Sequence, residues 1–239
     1  MHFSQYFTVY DTYSAVTTVL YIATIVLFFV SLFVSWFVGF QFRKYGKVVP
    51  RNGMTGIDAA QHILRANRVD GISFYQIGGR LTDNYNPINK SLNLSEEVCC
   101  TSSVSAVAVA AHECGHAIQH AQKNVLLMLR KTIVPVCNIG TKGSYIAIIL
   151  GTIFSRPELV TIGAWLFSGI VLFNIITLPV EIDASRKAMA NIEALNLLNE
   201  EERKGAKKVL AAAALTYFVS LVTSIVQFLR LVAMTRRRK

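Results

Sequence analysis

The sequence has few charged residues, and few of those are acidic. Asp, Glu, Lys and Arg make up 16% of its 239 residues, whereas they make up about a quarter of an ordinary soluble domain. Only 14 residues are acidic, against 24 lysines and arginines, so the net charge is +10. Hydrophobic residues make up 53%. This balance predicts a protein of the lipid bilayer whose excess positive charge contacts anionic headgroups.

Other features are missing altogether. The four cysteines show no Cys-x-x-Cys spacing, so we interpret them as small apolar residues rather than as a disulfide framework. Basic patches interleaved with aromatic residues are lacking, and we therefore expect no nucleic-acid partner. The first 13 residues contain no Lys or Arg, which a cleaved signal peptide would need, so we expect the apolar segment that follows to be retained.

Long apolar segments divide the chain. Residues 12–41 contain no charge, and about 20 such residues suffice to cross a bilayer. Lys142 interrupts the first of three later apolar segments, at a cost unless it reaches water or faces protein. The predicted fold class is a mainly α membrane protein with four transmembrane helices at 14–41, 131–155, 159–180 and 209–232. An extramembrane part, 48–125, and a connector that carries a metal ligand, 181–208, complete the division.

The pentapeptide His112-Glu113-Cys114-Gly115-His116 is the motif with chemical potential. Two histidines four residues apart lie one turn apart on the same face of a helix, so both imidazoles can bind one zinc ion. Glu113 projects beside that metal, where it can take a proton from a zinc-bound water. Residues 102–122 are rich in Ala, Val and Ser before the motif, which predicts a buried helix that other helices approach closely.

A catalytic zinc ion usually takes a third protein ligand. We expect Glu181, because it directly follows the third predicted span and a continuing helix would carry it to the level of the motif. The competing interpretation of Glu181 is a solvated carboxylate at the end of a helix. Glu96, Glu97 and Asp183 are weaker alternatives, and Asp183 could instead orient a histidine.

Three further side chains are given mainly structural roles. His120 continues the histidine face, but about 12 Å of helix separates it from His112, which is too far for one zinc site. Cys114 faces away from the histidines and is expected to pack. Tyr217 is a candidate hydroxyl donor to a transition state, with an interfacial tyrosine as the favoured alternative.

The segment before the motif predicts a small β-structure. A capping box at Thr55–Asp58 begins a helix, and two strand-like runs follow at 72–77 and 90–94. Residues 83–87, between these runs, are rich in turn formers. We expect a small antiparallel sheet, whose edge either pairs with an extended peptide and lays it across the metal or serves only for packing.

The basic residues also predict sidedness. With four crossings, 17 lysines and arginines lie on the side of the motif and 6 on the other. The positive-inside rule then places the active site in the cytoplasm, although the length of the first loop and the basic tail at 236–239 oppose it. The predicted localisation is the cell membrane, with several crossings.

Several motifs together resemble those of a known family. They are Gly79-Arg-Leu-Thr-Asp83, Tyr85, Pro87, Leu94-Ser95, Ala110-Ala-His-Glu-Cys-Gly-His-Ala-Ile-Gln119, Leu178-Pro-Val-Glu-Ile-Asp-Ala-Ser185 and Ala213-Ala-Leu-Thr-Tyr217. The chain resembles the YugP-type membrane zinc metallopeptidases (neutral zinc metallopeptidase family) from about residue 55 to residue 234. The resemblance implies a membrane-embedded peptidase with His112, His116 and Glu181 as zinc ligands and Glu113 as catalytic base.

The chain departs from related patterns at two places. It is more distantly similar to HtpX-like membrane proteases, in which Glu-x-x-x-Asp supplies the third ligand and an orienting aspartate. Ser185 stands at the place of that aspartate, so its support could fall to Asp183. Asn84 and Asn86 stand where the resemblance leads us to expect His and Asp, which leaves the role of that loop open.

The sequence therefore predicts an integral membrane zinc metallopeptidase, with membrane proteins or their detached segments as substrates. One alternative is a non-catalytic zinc-binding membrane scaffold, against which Glu113 argues because zinc binding does not need it. Another is a transporter that uses Lys142 and Glu181 as intramembrane charges. The cleavage preference and the oligomeric state are not predicted.

Overall fold

The computed structural model describes the backbone of residues 2–236 and the side chains of residues 15–235. This part of the chain is mainly helical. Its elements, in order, are α1 (His2–Gly46), α2 (Gly56–Ala66), β1 (Ser73–Ile77), β2 (Asn84–Asn86), β3 (Ser91–Ser95), α3 (Glu96–Cys99), α4 (Val104–Ala121), α5 (Val125–Ile153), α6 (Pro157–Ala194) and α7 (Glu200–Arg236).

Four helices, α1, α5, α6 and α7, are long and apolar enough to cross a membrane. The most apolar stretch of α1 has no residue buried within the protein, and an apolar surface of this kind fits a lipid environment. The predicted class, a mainly α membrane protein with about four transmembrane helices, is thus confirmed. Which residues of each helix lie in the hydrocarbon stays a prediction, as does the division of the chain drawn from it.

The helix α6 continues well beyond the predicted end of the third span. It passes through Pro179 and ends at Ala194, so Glu181 lies inside a continuous helix, as expected. A short turn then leads into α7, where Asn199 and Glu202 cap the helix reciprocally: each backbone N–H donates to the other side chain, at 2.8 and 3.0 Å. This pair satisfies donors that the first turn of a helix leaves without partners.

The chain forms two compact units, one of residues 1–33, 130–176 and 217–239 and the other of residues 34–129 and 177–216. In the first unit, the buried Ser144 hydroxyl on α5 donates to the Gly163 carbonyl on α6 at 2.8 Å. Lys142 is exposed on α5, so it does not face protein. Within a bilayer its long side chain would have to reach toward an interface to keep its charge hydrated.

The second unit contains a three-stranded sheet in the order β1-β3-β2. The predicted antiparallel arrangement is right for β2 and β3 but wrong for β1, which pairs with β3 in parallel. The reason lies in residues 83–87, which were predicted as a turn but contain β2. A tight turn joins β2 to β3, and β2 fills one edge of β3 in antiparallel pairing. β1 therefore pairs along the other edge of β3, where the two strands run in the same direction.

The core of the second unit surrounds α4. Fourteen of the 18 residues of α4 are buried, which confirms the predicted central helix. The helix α2 packs its apolar face against it and begins with the predicted capping box of Thr55 and Asp58. Gly56 allows this packing, because a side chain there would collide with the backbone carbonyl of Val98. Small residues thus bring the neighbouring segments close to α4.

Candidate metal centre

The structure brings the three predicted metal ligands together. His112 and His116 project from α4, Glu181 projects from α6, and one donor atom from each residue lies within 4.8 Å of the others. One carboxylate oxygen of Glu181, Oε2, is 3.1 Å from Nε2 of His112 and 3.5 Å from Nε2 of His116. Three donor atoms from two helices therefore converge on one point.

This donor set fits a zinc ion. Ligand atoms about 2.0–2.2 Å from a tetrahedral zinc lie roughly 3.3–3.6 Å from one another, close to the two distances to Glu181. Two histidines and one glutamate are also the ligands of one class of catalytic zinc site, which keeps a fourth position for water. Glu181 is only 1% exposed, and a carboxylate buried this deeply needs a compensating positive charge, which a divalent ion between these donor atoms would supply.

Gly115, inside the histidine motif, allows α6 to reach α4. A Cβ at residue 115 would lie 2.5 Å from the carbonyl oxygen of Ala184 and 3.0 Å from its Cα. Such distances are far inside van der Waals contact, so the two backbones can meet only where a side chain is missing. The contact is three residues from Glu181 along α6, and it thereby places the carboxylate beside the histidines.

Gln119 fixes the ring of His116. The Gln119 side chain is fully buried, and its amide nitrogen donates to the Val180 carbonyl at 2.9 Å and to the Asp183 carboxylate at 2.8 Å. Both partners are acceptors, so the amide oxygen must be the atom that faces Nδ1 of His116, at 3.0 Å. Nδ1 then carries the proton, and Nε2 presents its lone pair to the metal position.

Ser185 has the corresponding position beside the other histidine. Its hydroxyl lies 3.1 Å from Nδ1 of His112, which leaves Nε2 of that ring turned toward Glu181. Asp183, two residues earlier on α6, is instead engaged with Gln119 and with Lys187, whose ammonium is 3.0 Å away. Nδ1 of His112 thus contacts Ser185, and Nδ1 of His116 contacts Gln119. The Asp183 carboxylate supports His116 indirectly, by accepting a hydrogen bond from the Gln119 amide.

Glu113 is buried beside the two histidines and contacts the sheet. One of its carboxylate oxygens, Oε2, accepts the backbone N–H of Tyr85 in β2 at 2.8 Å. Burial raises the pKa of the Glu113 carboxyl above its ordinary value, and the nearby histidines oppose this effect. A carboxylate with a raised pKa is a better proton acceptor near neutral pH.

Comparison with known proteins agrees with this geometry. The family described as "Putative neutral zinc metallopeptidase" matches residues 20–236. The chain belongs to this neutral zinc metallopeptidase family. It is similar to the "Putative membrane protease YugP" of Bacillus subtilis (strain 168), with 38% identity over 192 residues that cover 80% of this chain and 85% of that protein. No solved structure matches the chain.

Family membership confirms the resemblance seen in the sequence. Zinc is the metal of the neutral zinc metallopeptidase family, and the cluster of His112, His116 and Glu181 could bind it. The chain is also a membrane protein by its four long apolar helices and its relative. The roles of the individual residues stay predictions.

The other residues considered as ligands or helpers are not members of the cluster of His112, His116 and Glu181. Glu96 and Glu97 are exposed on α3, and Glu97 pairs with Arg80 at 3.1 Å. Cys114 is buried, with its thiol 3.7 Å from the Ala60 carbonyl, which agrees with a packing role. Tyr217 belongs to the other compact unit, and its suggested role stays a prediction.

His120 and the two asparagines of β2 have local partners. Nδ1 of His120 is 2.8 Å from the hydroxyl of Tyr85, so β2 contacts α4 through this side chain as well as through Glu113. The Asn84 side chain accepts a hydrogen bond from the Asn93 amide across the sheet, and that of Asn86 accepts the N–H of Ile88 in the following turn. The residues that depart from the expected pattern thus build the strand and its turn.

The sequence interpretation missed Gln119, Tyr85 as a partner of Glu113, and the direct contact of Ser185 with His112. A signal for Gln119 was present: it lies three residues after His116, a spacing at which two helical side chains meet. No such signal exists for Tyr85, because the contact depends on how the sheet packs on α4.

Proposed function

We propose that this protein is an integral membrane zinc metallopeptidase that hydrolyses peptide bonds, with His112, His116 and Glu181 as zinc ligands and Glu113 as general base. The observation that supports it most is the convergence of both Nε2 atoms and one Glu181 oxygen, beside a buried glutamate. Zinc binding alone would not require that glutamate. A non-catalytic scaffold is therefore the weaker alternative.

The residues divide the chemistry in the following way. Bound zinc would polarise the scissile carbonyl and lower the pKa of its bound water toward about 7. Glu113 takes the proton of the attacking water and later passes it to the leaving amine. The hydrogen bond from Tyr85 to Oε2 of Glu113 holds the carboxylate in place, which favours proton transfer at its other oxygen.

We further propose that the substrate binds in extended form along β2. This strand is at an edge of the sheet, and the N–H of its central residue, Tyr85, points to Glu113 rather than to β3. Glu113 already accepts this outward N–H, so a peptide that pairs with the other outward backbone groups of β2 would lie beside the general base. Because the chain is a membrane protein, the proposed substrates are membrane proteins or segments released from them.

The decisive experiment replaces the base and keeps the metal site. In purified, zinc-loaded protein, Glu113→Gln should keep stoichiometric zinc but lose peptide cleavage by about 10²-fold or more, as is typical for loss of a general base. Glu96→Gln, which removes an exposed carboxylate outside the cluster, is the matched control and should cleave like the wild type.

Three results would count against the proposal. Normal turnover by Glu113→Gln would refute the mechanism, and a wild-type protein that binds zinc but cleaves no peptide would favour the scaffold. A protein without stoichiometric zinc, and unaffected by His112→Ala, would favour a transporter. Comparison of membrane proteomes from cells with the wild type and with Glu113→Gln should show which substrates accumulate.

We propose that the active site faces the cytoplasm, as the excess of basic residues on its side predicts. Of the four cysteines, Cys100 is exposed and the other three are buried, and Cys100 belongs to the same compact unit as the metal cluster. A maleimide that does not cross membranes should therefore label Cys100 only after the cells are permeabilised. Labelling of intact cells, absent in Cys100→Ser, would place the site outside.

A further inference from the structure

A basic cavity lies at the C-terminal end of α1, within the second compact unit. It has a volume of about 680 Å³ and is lined by the end of α1, the connection between β1 and β2, α3 and the first residues of α4. None of the metal-cluster residues lines it. It is therefore a feature that the proposed peptidase mechanism does not use.

Cations dominate the lining of this cavity. Arg43, Lys44, Lys47 and Arg80 contribute side chains, against a single carboxylate, that of Glu97. Glu97 is already paired with Arg80 at 3.1 Å. Arg43 and Lys44 at the end of α1, and Lys47 just after it, form no ion pair with any carboxylate among residues 15–235. The cavity thus has an excess of positive charge that an anion would neutralise.

Hydroxyl groups line the same cavity at the start of α4. Ser103 and Ser105 are each 1% exposed and bond to one another at 3.3 Å, and Ser103 also accepts the Ala106 N–H as the N-cap of α4. Thr101, which precedes them and is exposed, is the hydroxyl open to a ligand. The N-terminal end of an α-helix adds a partial positive charge at this position. Several cations beside an exposed hydroxyl suit a phosphate group, whose oxygens accept hydrogen bonds and carry negative charge.

The apolar part of the lining indicates what kind of molecule carries the phosphate. Phe40 lines the cavity and stacks on Trp36 one turn earlier, with ring centroids 5.5 Å apart. The two rings are 42% and 55% exposed, and the charge-free, exposed segment of α1 precedes them. Aromatic residues followed by cations are typical of the membrane–water boundary of a spanning helix.

We propose that this cavity binds the phosphate of an anionic phospholipid, with the acyl chains along the Trp36–Phe40 face of α1. The cations and the Thr101 hydroxyl hold the headgroup, and the aromatic rings contact the first carbons of the chains. A soluble phosphate compound would use the cations but not the exposed apolar surface of the two rings. The site would tie the catalytic unit to anionic lipid.

Native mass spectrometry of the full chain in neutral detergent tests the proposal. Phosphatidylglycerol, phosphatidylcholine and inorganic phosphate are titrated separately. We expect one phosphatidylglycerol to bind saturably, phosphatidylcholine to bind at least tenfold more weakly, and inorganic phosphate at millimolar concentration not to displace the bound lipid. Displacement by inorganic phosphate would instead identify a site for free phosphate and overturn the assignment to lipid.

Paired substitutions locate the bound lipid. Arg43→Gln with Lys47→Gln should weaken phosphatidylglycerol binding roughly 20-fold, since each cation near anionic headgroups contributes about fivefold. Lys207→Gln with Lys208→Gln removes the same charge from exposed residues of α7 in the same unit and should change binding less than twofold. Arg43→Lys with Lys47→Arg keeps the charge and should retain binding, which separates charge loss from misfolding. Equal losses in both Gln pairs, or none in the first, would overturn the proposal.

Discussion

The helices α1 and α4 use apolar residues in opposite ways. In α1, residues 15–33 are mostly large and apolar and none is buried; Phe29, for example, is 62% exposed. In α4 they are small and buried, and Gly115 has no side chain at all. Large apolar groups in α1 offer surface to lipid, whereas small groups in α4 let backbones approach. The metal cluster therefore depends on the small residues of α4, which let α6 approach, as well as on the histidines that α4 supplies.

The largest effect on zinc content and activity should come from removing Glu181, the ligand that α6 brings to the small-residue surface of α4. Glu181→Ala leaves only two protein donors, so we expect zinc to be lost during dialysis and cleavage to be abolished. Zinc content by atomic emission and peptide turnover measure the two effects. Glu193→Ala, on the same helix with a 73% exposed carboxylate, should behave like the wild type. Stoichiometric zinc in Glu181→Ala would show that the ligand is another residue.

The next largest effect should come from a single methyl group in α4. Gly115→Ala puts a Cβ 2.5 Å from the Ala184 carbonyl, so α6 must move away and separate Glu181 from the histidines. We expect a loss of about 1–3 kcal/mol in the free energy of unfolding and a large loss of bound zinc. Thermal unfolding and zinc content check both.

Gly140→Ala is the matched control for that methyl group. A Cβ at residue 140, in α5, would lie 3.7 Å from the nearest backbone atom, which is an ordinary contact. The variant should keep the stability of the wild type or gain slightly, because alanine favours helix. Equal tolerance at both positions would contradict the backbone contact as the feature that builds the metal cluster.

A smaller effect should follow from loss of the Gln119 amide. Gln119→Leu removes the acceptor that fixes Nδ1 of His116, and zinc affinity should fall about 10–100-fold, as is usual for partners of metal-binding histidines. Competition with a zinc chelator measures this affinity. Gln122→Leu makes the same change at an exposed residue three positions on and should have no effect. An unchanged affinity in Gln119→Leu would mean that packing alone orients His116.

The smallest effect is expected at the lipid-facing surface of α1. Phe29→Leu exchanges one exposed apolar group for another, so the free energy of unfolding should change by no more than about 0.5 kcal/mol. Ile118→Ala, at a 3% exposed residue of α4, should cost about 2–5 kcal/mol. Similar losses in the two variants, measured by thermal unfolding in the same detergent, would remove the contrast between the helices.

Local patterns predicted much of this molecule, and contacts between distant segments account for the rest. His112, Glu113 and His116 follow from helical spacing alone, and Glu181 followed from its position after an apolar span. Gln119 was missed because its amide is oriented by Val180 and Asp183, more than 60 residues away. The parallel pairing of β1 was missed for a similar reason, since nothing in β1 itself records that β2 fills the other edge of β3.

The distance along the chain between His112 and Glu181, 69 residues, has a consequence for biosynthesis. A chain grows from its N-terminus, so the histidine pair is made well before the glutamate that joins it. Until α6 has been synthesised and has docked on α4 at Gly115, the growing chain has only two of the three donor atoms. The proposed peptidase would therefore lack its third zinc ligand until this stage of synthesis.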